Sequence, residues 1–169
     1  MCTMLASRAA AQFARRGAFS LCRVSVAQPR RTASAAASSH TPADSLVDSS
    51  KVMVKNDQWG GAGAYAVVAI QSGEEVERGI VRILTNVDGN ENPYVFTWSD
   101  ERPCTTWAIG SGCSTFYNTA DKEESNTHME RNFVDNTFVI TATKDIPAGA
   151  ELLHEYKSKG WRTCFADLN

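Results

Sequence analysis

A corner written twice constrains this chain more than any other feature. Ala66, Ile70, Gly73, Glu75 and Val76 recur 76 residues later as Ala142, Ile146, Gly149, Glu151 and Leu152. Each copy is an apolar strand, then Ile-x-x-Gly, then an acidic residue that opens a new apolar run. In Asp145-Ile146-Pro147-Ala148-Gly149 the proline fixes φ and the glycine is free to take φ > 0, so the segment is a tight turn. Two such corners between short strands predict a compact all-β fold clipped together at two places.

The remaining pattern agrees. Residues 51–55 alternate, and residues 65–70, 79–84, 93–98, 105–109 and 138–143 are β-branched or aromatic runs bounded by turn residues. Residues 151–153 restart an extended run. Residues 56–63 form a loop ending Gly60-Gly61-Ala62-Gly63, where backbone can come close to a ligand or to another chain segment. Residues 121–130 are polar and read as a loop or one helical turn. No stretch beyond the first forty residues sustains helical periodicity, so the expectation is a mostly β protein with little helix.

The charge is divided along the chain. Residues 1–40 carry six arginines and no acid, while residues 41–169 carry eleven basic and nineteen acidic side chains, a balance of −8. An acid-free, Arg- and Ser-rich amphipathic start describes an organelle transit peptide, here residues 1–32 with cleavage near Arg30-Arg31. A mitochondrion is the first expectation, with a plastid as the alternative. Residues 33–50 read as a flexible linker and 51–169 as the domain. The acidic body argues against wrapping a nucleic-acid backbone and is compatible with a basic substrate. No apolar run is long enough to span a bilayer. Cys104, Cys113 and Cys164 lack paired metal-ligand spacing, so no metal site is expected.

Two motifs flank the second corner: Phe116-Tyr117-Asn118, and Glu151-Leu152-Leu153-His154-Glu155-Tyr156. Singly they are ordinary, since Asn caps turns and strand tyrosines are common. In order, with Gly61-Ala62-Gly63 ahead of them and Ser125-Asn126 between them, they resemble the SET domain of S-adenosylmethionine-dependent lysine methyltransferases. The resemblance covers roughly residues 52–165. It implies a SET-type β-clip fold with a C-terminal pseudoknot. It also implies cofactor contacts from Gly61, Ala62, Gly63, Tyr117, Asn118, Thr119 and Trp161, with Tyr156 facing the sulfonium methyl as the catalytic residue.

The chain departs from the family at Thr119, where a His is usual, and at Ala120 and Ser125, which replace Ser and Pro. His154 stands at a position usually aromatic or aliphatic, and the flanking cysteine clusters are missing, so Trp161 or Phe165 would cover the cofactor by packing. The implied partner is a protein with an accessible lysine. Such a lysine must lose a proton before attack, which desolvation in a narrow channel assists, and a Tyr hydroxyl can orient the amine. Tyr117 and Trp161 are the candidate channel walls. The alternatives are a catalytically silent β-clip binding module and the SAF-type β-clip. The latter shares the Asp-Ile-Pro-x-Gly corner but needs neither Phe-Tyr-Asn nor the terminal Tyr.

Overall fold

The computed structural model describes residues 44–168. The expected transit segment and most of the expected linker lie outside the described residues. Nine short strands carry the described chain: β1 Val52–Asn56, β2 Ala62–Ala66, β3 Glu75–Leu84, β4 Phe96–Thr97, β5 Trp107–Gly110, β6 Asn118–Thr119, β7 Thr127–Asn132, β8 Thr137–Ala142 and β9 Leu153–His154. Among the described residues helix is limited to two 3₁₀ pieces, Ser114–Phe116 and Thr163–Leu168. β1 and β2 pair alone, and the other seven strands form one mixed sheet in the order β4-β5-β3-β8-β7-β9-β6.

The two like corners pair with each other. Ile70 and Ile146 exchange both backbone hydrogen bonds, at 2.9 and 2.8 Å. Ala66 N–H donates to Ala150 O, as Ala142 N–H does to Glu74 O; Gly149 N–H donates to Ala66 O, as Gly73 N–H does to Ala142 O. Each bond maps onto its counterpart under the 76-residue offset, so a local pseudo-twofold relates the corners. Gly73 (φ +84°) and Gly149 (φ +81°) turn them in the left-handed region, which costs an L side chain about 1–2 kcal/mol. Behind them Ile70, Ile146, Leu152, Phe138 and Ile140 are fully buried.

The C-terminal strand is threaded. β9 lies between β6 and β7 and parallel to both, with Asn118 opposite Leu153 and Thr127 opposite His154. It therefore passes inside the loop of residues 120–126, which is the expected pseudoknot. Asn126 clasps it by accepting from Leu153 N–H (2.8 Å) and donating to Glu151 O (2.8 Å), in the manner of a neighbouring strand.

Four expectations need correction. The polar stretch 121–130 holds the start of β7, a full member of the sheet; its inward positions, Thr127, Met129 and Arg131, are too polar to show an apolar alternation. The run 93–98 contributes only the two-residue β4, and β2 ends at Ala66. The end of the expected linker is not free: Asp48 and Arg78 exchange backbone hydrogen bonds of 3.0 Å and Arg78 Nε donates to Ser45 O, so the domain begins before Lys51.

Candidate active site

Tyr156 follows β9 by two residues and is held in place from two sides. Its O–H donates to the Tyr117 carbonyl (2.5 Å), and the Phe165 ring packs against it at 5.4 Å. Burial pushes the phenol up to about 12 despite the nearby Arg162, so it is a neutral hydroxyl at physiological pH. Tyr156 borders two cavities. The larger, about 530 Å³, is also walled by Tyr117, His154, Met129, Phe96 and Phe165. The smaller, about 110 Å³, is lined with Tyr156 by Thr119, Ala120, Asp121, Lys122, Glu155 and Lys159.

Tyr117 is fixed by a residue that the motifs do not reveal. A bulge in β3 between Glu75 and Glu77 places Val76 and Glu77 inside in succession. Glu77, 1% exposed, accepts from Tyr117 O–H (2.8 Å) and from Cys113 N–H (2.6 Å). Burial pushes its carboxyl up to about 7, outweighing these two donors. Burial, and then the Glu77 charge, drives the Tyr117 phenol well above the usual tyrosine range. The Tyr117 ring is therefore locked, which fixes the carbonyl that receives Tyr156. A second acid inside the apolar run that Glu75 opens is the available signal for Glu77.

His154 adds a defined tautomer to the larger cavity. Thr127 Oγ1 stands 2.7 Å from Leu153 O and 2.7 Å from His154 Nδ1. The single hydroxyl hydrogen is needed between the two oxygens, so Nδ1 must donate to Thr127 and Nε2 carries the lone pair. Burial, followed by His128 and Lys157, holds the imidazole down to about 4, so it is neutral. Its ring meets the Tyr117 ring edge-on at 5.6 Å.

The glycine motif and the Asn motif also meet. Asn118 Nδ2 donates to Glu151 Oε1 (2.9 Å) and Asp57 Oδ2 (3.2 Å). A Cβ on Gly63 would lie 2.8 Å from Glu151 Oε1 and 3.0 Å from Asn118 Nδ2, so glycine is what lets these two side chains pack against the strand here. Gly61 N–H donates to Asp57 Oδ1 (2.8 Å), the bond that does most to hold this carboxyl below the usual range. Gly61, Gly63, Asn118 and Tyr156 are thus joined through the Tyr117-Asn118 peptide, while Ala62 is exposed, and none of Gly61 to Gly63 lines either cavity. Thr119 Oγ1 is buried without a hydrogen-bond partner beside the smaller cavity.

Trp161 is elsewhere. Its ring lies 6.3 Å from Trp107 and under the Arg102 guanidinium, and it lines neither cavity. The turn that begins at Ser158 directs the next residue, Arg162, inward to donate to Gly89 O and Asn92 O, and this leaves the indole outside. Phe165 takes the covering position instead, 4% exposed against Tyr156.

Comparison with solved structures places this fold among known ones. The chain is similar to a candidate histone methyltransferase of Plasmodium falciparum, with 19% identity and a TM-score of 0.51 over 63% of this chain and 92% of that one. It is similar to a humanized mutant of the Chaetomium thermophilum Polycomb Repressive Complex 2 bound to the inhibitor GSK126, with 24% identity and a TM-score of 0.52 over 63% and 15%. It is also similar to ctPRC2 in an autoinhibited conformation bound to S-adenosylmethionine, with 22% identity and a TM-score of 0.50 over 63% and 15%. The chain thus spans most of the first neighbour and about 15% of the other two. No curated protein matches it at a significant level. A SET domain profile matches residues 43–157, and the chain belongs to the SET domain family, whose members are generally methyltransferases that use S-adenosylmethionine.

Proposed function

We propose that this protein is a protein-lysine N-methyltransferase that uses S-adenosylmethionine. The observation that carries the proposal is Tyr156, a neutral phenol anchored on the Tyr117 carbonyl and standing between two cavities. A reaction that joins two ligands head to head needs both held in line, with a fixed polar group where they meet.

The residues present fit the cofactor. The Asp57 and Glu151 carboxylates that meet at Asn118 suit an α-amino group, and the unpartnered Thr119 hydroxyl suits a further polar atom of the ligand. Bound there, S-adenosylmethionine would supply an activated methyl for in-line displacement. Gly63 and Asn118 would hold the ligand and Thr119 would bond it. Tyr156 would orient the lysine amine, while the walls of the larger cavity strip water from the ammonium and so favour its neutral form. With residues 1–32 read as a transit segment, the proposed setting is a mitochondrion.

Titration of the full chain with S-adenosylmethionine in a calorimeter, and incubation of the chain and labelled cofactor with a mitochondrial extract, test the proposal. Binding heat and a labelled protein band are expected. Tyr156→Phe should lower transfer by about 10²–10³-fold and leave cofactor affinity within about threefold. Persistent transfer in that variant overturns the role of the phenol. The second reading, a silent binding module, is favoured by Thr119 in place of the family His and by the separation of the glycine motif from both cavities. An absence of heat at high micromolar cofactor would decide for it.

A further inference from the structure

The larger cavity carries a charge opposite to that of the body around it. Its lining holds five cations, Arg102, Lys122, Arg131, Lys157 and Arg162, against the two carboxylates of Asp100 and Glu155, although residues 41–169 as a whole balance at −8. Arg131 and Asp100 pair with each other at 3.5 Å and drop out of the balance. Among the described residues Arg102, Lys122, Lys157 and Arg162 make no ion pair. Arg162 is 5% exposed, and it donates to the Gly89 and Asn92 carbonyls and the Ser158 hydroxyl, none of which neutralises it. Lys122 and Lys157 are exposed at the mouth. Lys122 also lines the smaller cavity, so it flanks Tyr156 from both.

We infer that the substrate lysine is presented by an acidic segment, with Asp or Glu close to it on either side, and not by a basic tail. The inference rests on the methyltransferase reading and names the substrate class of the same site. A lysine from a basic tail would bring several more positive charges to a rim that already has an excess of cations. An acidic segment brings the matching sign and leaves the rim cations paired in the complex. A focused positive mouth on a negative body further selects which surface approaches first.

Three fluorescent peptides that share a central lysine, with two Glu, two Ser or two Arg residues on each side, separate the cases with the full-length protein. Binding by anisotropy and methyl transfer from labelled S-adenosylmethionine are both measured. The expected order is acidic, then neutral, then basic, with about a tenfold or larger span at low salt that shrinks as ionic strength rises. The double variant Lys122→Glu/Lys157→Glu should invert that order. Wild-type binding that prefers the basic peptide, or that shows no preference, overturns the inference, as does an unchanged order in the double variant. Acidic preference in binding with no transfer to any peptide keeps recognition of an acidic segment by this mouth and overturns the enzyme reading.

Discussion

Glu77 and His154 approach the Tyr117 ring from its hydroxyl and its edge, and they load the fold with opposite proton demands. Glu77 rises from 4.5 to about 7 on folding, so its contribution to stability is complete below about 4.5 and is lost as pH climbs through 7. His154 falls from 6.5 to about 4, so its contribution is complete above 6.5 and is lost as pH drops through 4. Between about 4.5 and 6.5 the unfolded chain binds one proton more at the histidine and one fewer at the glutamate, and the two slopes cancel. Denaturant titrations across this window should therefore show little contribution from the pair in the wild type. Glu77→Gln should expose a loss of stability toward acid pH, and His154→Gln a loss toward neutral pH, each about 1.4 kcal/mol per pH unit. A Glu77→Gln profile that still falls toward neutral pH would sink the assignment.

The elements that matter most at the next scale are the two corners and the threaded strand. Gly73 and Gly149 have left-handed φ values, and a Cβ added at either would meet nothing within 4 Å, so substitution brings backbone strain and no clash. Gly73→Ala and Gly149→Ala should each cost about 1–2 kcal/mol, and to a similar extent, in equilibrium unfolding. Markedly unequal costs would mean that the pseudo-twofold is not energetic. The corners were legible in the sequence because a turn of this kind is local: Ile, then two residues, then Gly, repeated at a fixed offset. The meeting of Tyr156 with the Tyr117-Asn118 peptide was legible through motif order. β7 and Glu77 were not, because membership of a sheet centre and burial of an acid depend on partners far along the chain and on a bulge. Trp161 misled because the direction of one turn, fixed by the inward Arg162, decides whether Trp161 or Phe165 covers Tyr156.

Across the whole molecule, the C-terminal segment is fastened to the loop of residues 88–92. Arg162 donates to Gly89 O and Asn92 O, Cys164 N–H donates to Asn90 O (2.8 Å), and Thr163 Oγ1 donates to the same carbonyl (2.7 Å). Arg162→Met would leave these acceptors buried and partly unpaired, at about 2–3 kcal/mol. The expected result is faster amide hydrogen exchange at Cys164 and Phe165 together with a loosened Tyr156, and thus reduced methyl transfer, while exchange in β3 and β8 stays slow. Uniform acceleration across the sheet would show instead that the segment supports the entire fold. The mutual pairing of the corners carries a consequence for synthesis. The first corner is complete once about Glu75 has emerged from the ribosome, yet its partners lie some 76 residues later. At about 5–20 residues per second it waits roughly 4–15 s with its amides and Ile70 unclaimed by the second corner.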